Sequence, residues 1–161
     1  QEIALVRSLD PRPVLVTDSG ELSLWVMAAR RGDVFGTSVY LNTYSAKLNR
    51  YIHYPITPVF FRIKRNITNL FAHPQDWVLI ELQGEPWGPK PFQELSQEER
   101  DKTMSIEKFR EIREFARQTG FKTMYWWGVE WWYWEKMRGN DAFWQDAKQM
   151  YHNSASQHPN N

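Results

Sequence analysis

Carboxylates and aromatic rings are the side chains here with chemistry to offer. The run Val78-Leu79-Ile80-Glu81-Leu82-Gln83-Gly84-Glu85-Pro86-Trp87 sets Glu81 at the close of an apolar stretch and Glu85 four residues on, after a glycine. A carboxyl that ends a buried strand is expensive unless it is paired or used. Glu81 is therefore the first candidate for a nucleophile or base, with simple pairing to Lys or Arg as the competing explanation. Asp18, Glu21 and Glu130 also follow apolar stretches. Two carboxyls facing each other across a sugar is the arrangement that glycoside hydrolysis needs.

Aromatic residues make up 16 % of the chain, with nine Trp. Trp126, Trp127, Trp131, Trp132 and Trp134 crowd together. An indole offers a flat apolar face and one donor, which suits a sugar ring and a large core equally. The crowding points to an aromatic platform, while for Trp131, Trp132 and Trp134 individually burial is the expected job. His53 lies among Tyr40, Tyr44, Tyr51 and Tyr54 and is a weaker candidate for touching substrate. The histidines show no metal-ligand spacing, there is no Cys, and no Gly-x-Ser-x-Gly turn occurs. No metal or cofactor is expected.

The chain has 161 residues, 42 % hydrophobic and 24 % charged, enough for one domain with a core. Lys plus Arg is 20 against 19 Asp plus Glu, so there is no positive surplus for a nucleic-acid partner. No apolar run reaches the ~18 residues of a membrane span, and no secretory signal opens the chain. The opening Gln1-Glu2-Ile3 lacks an initiator Met, as expected of a truncated or processed piece. Nothing in the composition names a compartment.

The elements that must position these groups alternate. Glu2 to Leu9 reads as a helix, broken by Asp10-Pro11-Arg12-Pro13. Val14 to Thr17 is a short buried strand, and Asp18 to Glu21 a turn. Leu22 to Arg31 has helical spacing and Gly32 as its stop. A second strand covers Asp33 to Tyr40, a long connection Leu41 to Tyr54, and a helix Pro58 to Asn69. Trp77 to Ile80 is a third strand ending at Glu81. Ser105 caps a helix that runs to Thr119, with Gly120 as its stop. Phe121 to Trp127 is a fourth strand, and a helix spans Asp141 to Tyr151. Residues 1–151 are one α/β unit, and 152–161 are expected to be a disordered polar tail.

Strand and helix repeated four times argue for a parallel sheet with crossover helices. No dinucleotide-type glycine-rich turn follows any strand. Asp18 and Glu21, Tyr40, Glu81 and Glu85, and Trp127 and Glu130 all fall at strand carboxyl ends. In a barrel those ends share one mouth.

The segment from Val78 to Trp87 resembles the seventh strand of clan A retaining glycoside hydrolases, in a form similar to cellulase-like and β-galactosidase-type members. Asp10 to Thr17 is similar to the entry to their fifth strand. Asp33 to Tyr40 resembles the sixth, and Met124-Tyr125-Trp126-Trp127-Gly128 the eighth. The resemblance spans about Glu2 to Tyr151 and implies the C-terminal half, strands 5–8 with their helices, of a (β/α)8 TIM barrel. It implies Glu81 as nucleophile, Tyr40 as its hydrogen-bond partner and Trp127 as a sugar platform. Glu85, Trp87 and Glu130 complete the expected substrate-binding set.

One departure carries weight. The clan's acid/base glutamate ends strand four, usually after Asn, and no Asn-Glu dipeptide occurs here. On the resemblance, strands one to four would lie upstream of Gln1, and the chain alone would have little or no hydrolytic activity. The rival expectation is a non-catalytic carbohydrate-binding or half-barrel assembly module, whose exposed edges would drive self-association.

Overall fold

The computed structural model describes residues 2–157. Its centre is a four-stranded parallel sheet flanked by helices. The strands are β1 (Leu15–Asp18), β2 (Val34–Val39), β5 (Asp76–Gln83) and β6 (Thr123–Trp127), paired in that order. Between β2 and β5 the chain forms a separate antiparallel hairpin, β3 (Asn42–Ser45) with β4 (Arg50–His53). The helices are α1 (Glu2–Leu9), α2 (Val26–Ala29), α3 (Pro58–Asn69), α4 (Gln97–Asp101), α5 (Ile106–Thr119), α6 (Val129–Met137) and α7 (Ala142–Gln157).

Spatial order follows chain order without reversal. Each crossover therefore advances the sheet in one direction, and the crossover helices fall in a row. α2 packs on α3, α3 on α5, and α5 on α7. Between that row and the sheet lies the core, where Phe35, Val39, Leu79 and Leu82 meet Trp25, Phe61, Phe109, Ile112 and Ala116. Burying each such large side chain contributes about 1.5–3 kcal/mol. On the outer strands the more exposed positions alternate, Leu15 and Thr17 on β1 and Tyr125 and Trp127 on β6. The sheet thus has one covered face and one open one. A Cβ on Gly36 would meet Thr17 and Ile80, which places the middle of β2 and β5 on the same open side.

Local chemistry sets the clearest boundaries. Ser105 Oγ accepts from the Lys108 amide, and Gly120 ends α5 in the left-handed region at φ 77°. α3 starts on Pro58 at its first turn. Ser96 and Glu99 form a reciprocal capping box on α4.

Several expectations need correction. Of Leu22 to Arg31 only Val26–Ala29 is helical. Leu22 and Leu24 point into solvent, and Trp25 has φ 61°, its ring buried and its indole N–H donating to the Ser19 carbonyl at 2.8 Å. Anchoring that one ring outweighs helical continuity. The connection from Leu41 to Tyr54 contains the β3–β4 hairpin, closed by Tyr44 against Tyr51 and by the Tyr44 hydroxyl on Asn49. β5 does not end before Glu81 but runs through Gln83. The last helix continues to Gln157, past its expected end at Tyr151. The Ser154 hydroxyl donates to the Met150 carbonyl. The remainder of the expected polar tail, 158–161, lies outside the described residues.

Candidate functional site

A one-residue irregularity in β5 decides where Glu81 points. Thr37 of β2 pairs with Leu79, but the next residue, Ser38, pairs with Glu81. Ile80 is the extra residue, and the β5–β6 register breaks at the same place. Leu79 and Leu82 both lie in the helix-side core although three positions apart. In a regular strand Glu81 would share the face of Leu79. The bulge turns both Ile80 and Glu81 away from that core, so the carboxylate reaches the carboxyl end of the sheet on its open side.

There it meets Tyr40, which follows β2. The Tyr40 hydroxyl donates to Glu81 Oε2 at 3.1 Å. Burial pushes the phenol's pKa up, and the charge and hydrogen bond of Glu81 push it further, with smaller contributions from Glu85 and Glu21. Tyr40 therefore stays protonated and acts as a donor. Trp87 packs edge-on against Tyr40, centroids 5.0 Å apart, and remains 43 % exposed.

A second pair sits at the neighbouring strand end. Trp127 Nε1 donates to Glu85 Oε1 at 3.0 Å while its ring stays 50 % exposed. Burial raises the Glu85 pKa, the Trp127 bond opposes this, and the charge of Glu130 adds to the rise. Two glycines allow the close approach. A Cβ on Gly84 would lie 2.6 Å from the Trp127 carbonyl, and one on Gly128, at φ 111°, would lie 2.6 Å from Glu85 Cβ. Glu130 itself lies exposed in the first turn of α6.

Tyr40, Glu81, Glu85, Trp87 and Trp127 are thus joined pairwise at the carboxyl ends of β2, β5 and β6. His53 binds Asn42 Oδ1 through Nδ1 at 2.9 Å. Glu21 acts on Tyr40 through its charge, and among the described residues its Oε2 is buried without a hydrogen-bond partner. Lys64, which sequence reasoning passed over, reaches from α3 to the Gly20 carbonyl at 2.6 Å and lies over the Trp25 ring. Burial lowers its pKa, against the charges of Glu21 and Asp18.

The tryptophan crowd divides by burial. Trp131 and Trp132 are buried in α6, Trp131 stacked on Trp134 at 5.3 Å with Arg100 beside both rings. Arg100 also binds the Leu95 carbonyl and pairs with Glu135. That knot fastens the segment after Trp87 to α6, and only Trp127 of the group offers an exposed ring beside the carboxylates. Sequence reasoning missed Gln83 and Asn42, both buried. The one signal was the Gln83 amide at the end of a buried strand.

Among the described residues no group of three or more His, Cys, Asp and Glu could hold a metal ion, and no helix is long and apolar enough to cross a membrane. A cavity of about 670 Å³ lies between α5, β6 and α7, on the helix side and away from these carboxylates. Compared with protein-family models, with curated proteins and with solved structures, the chain matches none.

Proposed function

We propose that this chain is the C-terminal four strands of a (β/α)8 barrel and carries the nucleophile of a retaining β-glycosidase. The observation that carries the reading is the Tyr40–Glu81 hydrogen bond, formed at the carboxyl ends of adjacent parallel strands, on the open face, beside exposed Trp87 and Trp127. The single direction of winding supports it, because helices in one row leave the opposite face free to line a barrel. Leu9, Leu22 and Leu24, each more than three-quarters exposed, fit the surface that the other four strands and their helices would cover.

On this reading Glu81 attacks the anomeric carbon, and the bond to the leaving oxygen breaks as a second carboxylic acid protonates it. Water then hydrolyses the glycosyl ester, restoring Glu81 and the configuration of the sugar. The second carboxyl must stand ~5 Å from the first, and the other half of the barrel supplies it. Trp127 and Trp87 offer faces to the sugar ring, and Glu85 and Glu130 accept from its hydroxyls.

The exposed indoles favour a second reading, a carbohydrate-binding module in which the carboxylates only accept hydrogen bonds. Both readings leave the outer edges of β1 and β6 unpaired, so the isolated chain is expected to self-associate. Hydrolysis of an aryl β-glycoside by the chain supplied with barrel strands 1–4, and by Glu81→Gln supplied in the same way, tests the proposal, with turnover expected only of the first. Turnover that survives Glu81→Gln overturns the nucleophile assignment, and sugar binding with no turnover even when barrel strands 1–4 are supplied selects the binding module.

A further inference from the structure

The backbone ladder between β2 and β5 stops at the Val39–Leu82 rung. Beyond it, the Gln83 side chain continues the connection. Its Oε1 accepts from the amides of Leu41 at 3.0 Å and Asn42 at 3.1 Å, and its Nε2 donates to the Asn42 carbonyl at 2.6 Å. The orientation of the amide is fixed by those partners, two donors on the oxygen and a carbonyl on the nitrogen. Gln83 is fully buried and Asn42 nearly so, which leaves these backbone groups little access to water.

Tyr40 is the residue between the last rung and this clamp. Val39 holds it from one side through the sheet, and Leu41 from the other through Gln83. Glu81 stands two positions before Gln83 on the same strand. One strand therefore presents both the carboxylate and the side chain that fixes where the Tyr40 hydroxyl arrives.

We infer that Gln83 is a positioning residue, which holds the Tyr40 hydroxyl on Glu81 Oε2 and so leaves the other oxygen of that carboxylate to face the substrate. The inference rests on the reading of Glu81 as nucleophile. Its structural content is that the Tyr40–Glu81 bond requires the Gln83 clamp.

The test is a 13C NMR titration of the 161-residue chain labelled at tyrosine Cζ, with Tyr40 assigned by Tyr40→Phe. The part of the Tyr40 response that disappears in Glu81→Leu, which can neither accept the bond nor carry the charge, reports the Tyr40–Glu81 contact. Gln83→Met, and Gln83→Asn, whose amide falls one methylene short, are each expected to lose that part while circular dichroism still shows a folded chain. A folded Gln83 variant that keeps the Glu81-dependent response overturns the inference. Should neither variant fold, the unaltered chain decides. Couplings across the hydrogen bonds from the Leu41 and Asn42 amide nitrogens to Gln83 Cδ must be observed, and their absence overturns it. None of these readouts needs a sugar, so failure of the glycosidase reading in a turnover assay remains separate from failure here.

Discussion

Tyr40 and Glu81 meet, hydroxyl to carboxylate at 3.1 Å, only because Ile80 is an extra residue in its strand. The tyrosine arrives by leaving β2 at its carboxyl end. The glutamate arrives because the bulge breaks an alternation that would otherwise set it beside Leu79 in the helix-side core.

Deleting Ile80 removes that exception. Leu79, Glu81 and Leu82 then become consecutive and match Thr37, Ser38 and Val39 of β2, so all three keep their faces. Glu81 stays out of the apolar core, where an unpaired carboxylate would cost several kcal/mol. The shortened chain is expected to keep cooperative unfolding in a urea titration monitored by tryptophan fluorescence, losing no more than about 3 kcal/mol with the half-buried Ile80 side chain. Loss of cooperative unfolding would show that Ile80 is not a dispensable extra residue of the strand.

Glu85 gives a pH dependence with a definite sign. Its folded pKa is raised, chiefly by burial, so the folded chain holds this proton more tightly than the unfolded one. The contribution is fully present below the ordinary Glu value of about 4.3 and is lost as pH rises through the folded pKa. Glu85→Gln keeps an acceptor for Trp127 Nε1 without the buried charge. It is expected to raise the thermal midpoint near pH 7 and to make no difference near pH 3. A lower midpoint at pH 7 would contradict the assignment of burial as the dominant cause.

Two tryptophans four residues apart should behave in opposite ways. Trp131→Ala empties a fully buried site and is expected to cost about 3–5 kcal/mol. Trp127→Ala touches a half-exposed ring with one hydrogen bond and is expected to cost about 1 kcal/mol or less. Chemical denaturation measures both. Weak quenching of indole fluorescence by a β-linked disaccharide should diminish in Trp127→Ala, with Trp87 left to contribute, and quenching of unchanged size would remove Trp127 from the site.

Where local chemistry decides, the sequence was legible. Pro58 opens α3, and Ser105 with Gly120 bounds α5, because caps and stops act through neighbouring backbone groups. Pattern failed where a distant contact decides. The spacing from Leu22 to Arg31 is helical, yet burial of the Trp25 ring under Lys64 leaves Leu22 and Leu24 outside. The tyrosine-rich connection carried no turn dipeptide, so its hairpin went unread. Glu81 was singled out for ending a strand, whereas it sits inside β5 and is turned outward by a bulge that no residue type announces. Gln83 was in plain view, but its partners lie some forty positions away on β2's exit.

Covalent trapping is the direct test of Glu81 as the nucleophile. Dinitrophenolate leaves a sugar without protonation, so a 2,4-dinitrophenyl 2-deoxy-2-fluoro-β-glycoside does not depend on the second carboxyl, and the fluorine slows release of the ester. Peptide mass spectrometry after incubation is expected to place the fluorosugar on Glu81, and Glu81→Gln is expected to remain unlabelled. A label on Glu85 or Glu130, or one that survives in Glu81→Gln, would contradict the account.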